Sequence, residues 1–333
     1  MPWNNALDPD SPAYQIASSN NSRIRVVAGP GTGKSFAMKR RVARLLEEGT
    51  DPKAILPVTF TRVAAEDLHR ELVNMDTENA DQLEGSTLHS LALRILSRNH
   101  VLDVTERQPR PLNEFELGPL FADLADHGGK RDIDKKIKAY HAAWACLQDD
   151  DPANVDDGRD LPFEADLISW LQFHRGMLIG EVIPYLYEYL RQHPHCGERN
   201  EYSHILVDEF QDLNKVEQEI IRFLGENSDI CIVGDDDQSI YSFKHANPQG
   251  ILEWCEENPG ADDLALTDCR RCPGRVVRIA NHLIAVSPTR THDRILVECL
   301  ENGEGEVEPP RLSRRLLFVR RSHDERYKEQ VLA

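Results

Sequence analysis

Ile24-Arg25-Val26-Val27-Ala28-Gly29-Pro30-Gly31-Thr32-Gly33-Lys34-Ser35 joins a short β-rich run to a glycine-rich loop that ends in Gly-Lys-Ser. Beyond it, Met38, Val42, Leu45 and Leu46 recur at helical spacing between Phe36 and Glu48, so the segment reads as strand, loop and helix. That is the setting a phosphate-binding loop requires. Glycines let backbone amides curl around the β and γ phosphates at a helix N-terminus, Lys34 supplies a cation, and Ser35 offers a hydroxyl to Mg²⁺. ATP with Mg²⁺ is therefore the expected cofactor, held by Ala28, Gly29, Pro30, Gly31, Thr32, Gly33, Lys34 and Ser35. Ala28 stands where the common pattern has glycine, a change that leaves the amide nest and the lysine in place.

Working outward, Ala54 to Phe60 reads as a second buried strand, Ala64 to Val73 as the helix after it, and Leu88 to Leu96 as another amphipathic helix. Such alternation predicts an α/β fold on a parallel sheet. From about Arg98 to Gly197 the chain changes to helix-like stretches and turn-rich breaks, among them the aspartate-rich run Asp149 to Asp160. Strand and helix patterns resume with His204 to Asp208, Asn214 to Leu224, Asp229 to Gly234, Asp262 to Thr267 and Pro273 to Val286. The expected organisation is a split α/β domain over 1–97 and 198–290, interrupted by a mainly helical insertion at 98–197. Residues 291–333 read as linker and tail.

Ile205-Leu206-Val207-Asp208-Glu209 is an apolar strand ending in two carboxylates, which the C-terminal edge of a parallel sheet would set beside the loop. Asp208 would hold Mg²⁺ directly or through water, and Glu209 would orient and polarise the attacking water. A solvated strand end explains an isolated Asp-Glu better; the upstream loop reverses the balance toward catalysis. Gly234-Asp235-Asp236-Asp237-Gln238-Ser239-Ile240-Tyr241 follows another apolar strand. Its aspartates either bind metal or shape a turn that presents Gln238 to the γ phosphate or the water, and the second fits a metal that already has ligands.

Together these segments resemble the N-terminal half of a UvrD-like superfamily-one DNA helicase. The first motif matches Ala28 to Ser35. Thr59-Phe60-Thr61 with Ala64 and Ala65, Thr87-Leu88-His89, Asp208-Glu209-Phe210-Gln211-Asp212, Gly234 to Tyr241 and Leu266 to Cys272 match five more, in the family's order. The resemblance implies a RecA-like P-loop NTPase domain and an ATP hydrolase in which Lys34, Glu209 and Gln238 are catalytic. It implies that Arg271 contacts the γ phosphate and Gln15 reads the adenine. It also implies that Phe60, Thr61, Thr87, His89, Tyr241 and Phe243 meet single-stranded DNA or a partial duplex, with base stacking worth ~1–3 kcal/mol per base. Translocation from 3′ to 5′ is a further implication. Each aromatic alone is more readily a core residue, and only placement just after strand ends brings the functional reading level with it. Cys269 and Cys272 offer two thiols, short of the four ligands of a structural zinc.

The family continues into a second RecA-like domain carrying an arginine finger, worth ~10³–10⁵ in rate. Past Asn302 the sequence turns to Gly, Glu and Pro and then to an arginine-rich stretch from Arg311, where those later motifs are not found. A second domain is thus expected to be absent, and a separate polypeptide supplying it becomes a candidate partner. Three functions compete: a DNA helicase or translocase motor domain, a noncatalytic ATP-gated DNA-binding module or truncated remnant, and a small-molecule P-loop kinase. The kinase leaves Asp-Glu-x-Gln-Asp and Gln-Ser-Ile-Tyr unexplained.

Bulk properties bound these readings. At 333 residues the chain is long for one compact core, and no apolar run approaches the ~20 residues of a membrane span. Met1 to Asp10 lacks a basic segment followed by an apolar one, and the seven cysteines are scattered, so a cytoplasmic, reduced chain is expected. A net charge of -18 argues against nonspecific polyanion binding over the whole surface, yet leaves room for a local groove of amides, hydroxyls and aromatics.

Overall fold

The computed structural model describes residues 2–75, 77–147, 160–239, 245–286, 290, 294–299 and 302–303. Tyr241, Phe243, residues 149–159 of the aspartate-rich run and the stretch from Arg311 lie outside the described residues.

Five strands, β1 (Arg23–Ala28), β2 (Ile55–Val58), β3 (His204–Val207), β4 (Asp229–Gly234) and β5 (Asp262–Leu266), form one parallel sheet in the order β2-β3-β4-β1-β5. Strand alternation sorts their side chains to two faces. Ile24, Val26, Leu206, Cys231 and Val233 enter one apolar cluster, while Ile205, Val207, Ile230 and Ile232 enter another. Because β3 and β4 are apolar on both faces, they occupy the covered middle of the sheet. This is the RecA-like P-loop arrangement, with the carboxyl ends of all five strands on one edge.

Helices α1 (Pro12–Ser18), α2 (Lys34–Glu47) and α3 (Arg62–Asn74) cover the first face, burying Ile16, Met38, Val42, Leu45 and Leu72. The second face is covered by α4 (Leu88–Leu96), α9 (Val182–Gln192), α10 (Lys215–Leu224) and α11 (Gln249–Glu257). Between these, α5 (Asn99–Thr105) sends Val101 into the same core, whereas α6 (Leu117–Asp123), α7 (Lys130–Ala145) and α8 (Leu161–Phe173) build a separate core around Leu120, Ile133, Phe163 and Leu167. The stretch 98–197 therefore contributes both to the sheet core, through α5 and α9, and to a helical unit of its own. Finally α12 (Gly274–Ala285) follows a short strand β6 (Asp268–Cys269), which pairs with β7 (Val297–Glu298).

Local chemistry sets where helices begin. Thr61, Thr87 and Asn214 each accept a first-turn amide hydrogen bond, from Ala64, Ser90 and Glu217 respectively. These caps start α3 and α4 just past β2, so the N-termini of both helices lie near the carboxyl edge. Among the described residues no helix is long and apolar enough to cross a membrane.

Candidate nucleotide and nucleic-acid site

Ala28 closes β1, and the chain then turns through Gly31 (φ 72°) and Gly33 (φ 95°), both in the left-handed region where glycine is unstrained. Thr32 tightens the turn by donating its hydroxyl to the Gly29 carbonyl at 2.8 Å. Gly33 is the N-cap of α2 and makes no side-chain cap, so the first-turn amides are left for an anion. Ser35 is exposed at that helix start, while Lys34 is largely buried.

Lys34 Nζ donates to Glu209 Oε2 at 2.8 Å, bringing the loop lysine and the candidate base together. Glu209 itself has φ 52°, a left-handed conformation costing a non-glycine residue roughly 1–2 kcal/mol. Gln211, fully buried beneath it, donates from Nε2 to Glu209 Oε2 at 3.0 Å and accepts the Asp235 amide at Oε1 at 2.9 Å. Asp235 in turn takes a 2.6 Å hydrogen bond from Gln238 Nε2 and caps the short turn of Asp236–Gln238 by accepting from the Asp237 amide. Lys34, Glu209, Gln211, Asp235 and Gln238 are thus one hydrogen-bonded chain across the ends of β1, β3 and β4.

Asp208 lies at the end of β3, with Oδ1 accepting the Glu209 amide at 3.0 Å. Burial pushes its carboxyl up to about 6; the neighbouring Glu209 charge adds to the rise and Lys34 opposes it. A carboxylate so disfavoured as an anion gains from a bound cation, and the Asp208 carboxyl and the exposed Ser35 hydroxyl are both hard oxygen donors of the kind Mg²⁺ takes. Among the described residues no cluster of three or more His, Cys, Asp or Glu forms a metal centre, so any Mg²⁺ would lean on phosphate and water oxygens as well.

Arg271 is exposed, and its Cβ lies 2.5 Å from where a Cβ on Gly31 would stand; the Arg270 amide donates to the Gly31 carbonyl at 2.9 Å. The segment bearing Arg271 therefore abuts the loop. Gln15 is exposed on α1 and takes no part in the Lys34 to Gln238 chain. Sequence reasoning missed Arg290 and Arg294, the first at the expected C-terminal limit of the α/β domain and the second in the expected linker. Arg290 donates to Asp237 at 3.1 Å, and Arg294 pairs with Asp235 at 3.5 Å and with Asp236. No motif spacing announces these pairs, because they span more than 50 residues of sequence.

Phe60, Thr87 and His89 line one pocket together with His141, Asn214 and His245, between the edge of β2 and helices from the 98–197 stretch. Thr61 is placed one residue beyond Phe60, its hydroxyl engaged as the α3 cap. The described DNA-contact candidates and the nucleotide candidates thus occupy neighbouring parts of one sheet edge, joined through β2 and β3.

A family model described as "AAA domain" matches residues 13–244 of this chain. The chain belongs to that family. It is 26% identical over 291 residues to the ATP-dependent DNA helicase PcrA of Staphylococcus epidermidis, an alignment covering 83% of this chain and 40% of the relative. To the same-named protein of Staphylococcus aureus it is 25% identical over 297 residues, covering 81% and 39%. The resemblance to the N-terminal half of a UvrD-like superfamily-one helicase therefore holds across most of the sequence. Within this family the chain spans about two fifths of the length of the curated relatives it matches.

Proposed function

We propose that this chain is the first motor domain of an ATP-dependent DNA helicase or translocase, binding ATP with Mg²⁺ at Ala28–Ser35 and single-stranded DNA along the adjoining sheet edge. The observation that carries the reading is the Lys34–Glu209–Gln211–Asp235–Gln238 chain, which joins a phosphate cation, a base and a candidate γ-phosphate sensor.

The residues suggest a sequence of events. Entering phosphates take Lys34 and the open amides of α2, which frees Glu209 from its ion pair. Gln211 keeps hold of Glu209, whose carboxylate can then accept a proton from water, while Gln238 orients that water or senses the γ phosphate. Arg271 approaches the γ phosphate from the segment against Gly31. Asp208 and Ser35 would hold Mg²⁺, which when bound neutralises charge on the β and γ oxygens. Phe60, Thr61, Thr87 and His89, with Tyr241 and Phe243, would line the DNA path, and movement from 3′ to 5′ follows the family resemblance. Gln15 is assigned to the adenine on the same ground.

We further read 1–97 and 198–290 as the ATP-binding domain and 98–197 as its insertion, a division supported by the separate apolar core of α6, α7 and α8. A second motor domain, in the same or a separate polypeptide, would supply the opposite wall of the nucleotide cleft. With every cysteine free, a reducing cytoplasmic setting suits the chain.

The test is ATP turnover with and without single-stranded DNA, using the chain together with a second motor domain. DNA stimulation that vanishes in Glu209→Gln supports the motor reading. ATP-dependent DNA affinity with no turnover supports a noncatalytic ATP-gated module instead.

A further inference from the structure

Cys269 and Cys272 lie on the segment between β5 and α12 that touches the phosphate loop at Gly31. Their thiols are within hydrogen-bond reach of each other, across the Arg270-Arg271 pair. Cys269 is buried, with its sulfur 3.3 Å from where a Cβ on Gly31 would stand; Cys272 is half-exposed. Asn302 donates from one side-chain nitrogen to the carbonyls of both cysteines, 3.2 Å each, so the turn between them is already drawn together. Neither cysteine has a role in the nucleotide chemistry above, and two thiols cannot complete a zinc site.

We infer that Cys269 and Cys272 are a redox-modifiable dithiol, oxidised by a peroxide to a disulfide that weakens nucleotide binding at the loop. In the first step the Cys272 thiolate attacks one peroxide oxygen, the O–O bond breaks, and a sulfenic acid forms as the other oxygen leaves and takes a proton to become water or an alcohol. In the second, Cys269 sulfur attacks Cys272 sulfur, the S–S bond forms, and the S–O bond breaks, releasing water with the Cys269 proton. Two thiols lose two electrons and the peroxide gains them. Burial and the neighbouring Cys269 push the Cys272 thiol up, against the pull of Arg271, so oxidation is slow at neutral pH and faster in alkali.

An S–S bond is about 2.05 Å long, far shorter than a contact between hydrogen-bonded sulfurs. Closing it draws the two sulfurs together beside Gly31 and fixes Arg270 and Arg271 inside a four-residue ring, although Arg270 is bonded to Gly31 and Arg271 is the proposed γ-phosphate contact. By linkage, bound nucleotide favours the reduced pair by the same factor as the disulfide weakens nucleotide.

The effect on nucleotide rests on the ATP-binding reading, so the experiment separates the two. The full chain is reduced, treated with hydrogen peroxide, and mapped by mass spectrometry after alkylation; a fluorescent ATP analogue is then titrated into reduced, oxidised and re-reduced protein. The expected result is a Cys269–Cys272 disulfide, affinity about fivefold or more weaker, recovery with dithiothreitol, and loss of the response in Cys272→Ser and Cys272→Ala but not in Cys146→Ser. Absence of that disulfide, or equal affinity in both redox states, overturns the inference. Failure of the reduced protein to bind the analogue refutes the nucleotide reading and the coupling with it, while the disulfide map still decides whether the dithiol exists.

Discussion

Lys34 and Glu209, 175 residues apart in sequence, share a 2.8 Å ion pair at the mouth of the phosphate loop. In the proposed reading, nucleotide and the candidate base Glu209 compete for one lysine. Glu209→Gln removes the competitor and the proton acceptor together, so ATP affinity should stay level or rise while turnover falls by about 10²-fold or more. Lys34→Ala should weaken nucleotide by roughly 1.5–3 kcal/mol, the worth of a hydrogen bond to a charged group. Isothermal titration and steady-state phosphate release measure both; normal turnover in Glu209→Gln would remove the assigned base.

Gly31 combines a left-handed backbone with the nearest approach of Arg271. In Gly31→Ala the new methyl meets a Cβ fixed to its own backbone, which no side-chain rotation relieves. Added to the left-handed penalty of about 1–2 kcal/mol, this should cost nucleotide affinity about tenfold or more with the far-ultraviolet circular dichroism unchanged. Wild-type affinity in this variant would show that the Arg271 segment is not packed on the loop.

Much of this was legible before any coordinates. The motif strands lie close to their expected places, and α4 spans the predicted Leu88–Leu96. β2 is shorter than expected, Ile55–Val58, because Pro52–Ala54 forms a single tight turn before it and Thr59 leaves the sheet to bond Ser86. Helix α3 starts at Arg62, earlier than Ala64, since Thr61 serves as its cap. Strand order could not be read, because β4 enters between β1 and β3 from more than 170 residues downstream of β2. Periodicity reports on neighbours in sequence; Gln211, which links two strands by one amide, and the arginines on Asp235, Asp236 and Asp237 leave no such trace.

Phe60 faces the pocket shared with His89 and is half-buried. If it stacks a base, Phe60→Ala should lower affinity for an oligothymidylate by about 1–3 kcal/mol, read by fluorescence anisotropy, with little change in urea midpoint. A lowered midpoint at unchanged DNA affinity would assign Phe60 to packing instead.

Glu198 holds the two ends of the 98–197 stretch together, accepting from Arg98 at 3.0 Å and Tyr189 at 3.0 Å and meeting His100 at 2.7 Å. Burial pushes its carboxyl up, but the hydrogen bonds from His100, its own amide, Arg98 and Tyr189 outweigh that and hold it at about 2, below the ordinary 4.5. With the folded value depressed, the stabilisation is complete above about pH 4.5 and is lost as pH falls toward 2. Glu198→Gln should destabilise the neutral protein by about 1–3 kcal/mol, and the gap from wild type should narrow between pH 4.5 and 2 in urea titrations. A gap independent of pH would mean that the carboxylate charge contributes nothing.

Gln211 has one further consequence. Its amide carries an oxygen toward β4 and a nitrogen toward Glu209, so it cannot be flipped without breaking both bonds. Glu209 cannot swing away from Lys34 without tugging the end of β4 or snapping a link. The amide ties the ends of two strands together, so the partner held by the phosphate lysine bears on a hydrogen bond made at the end of β4.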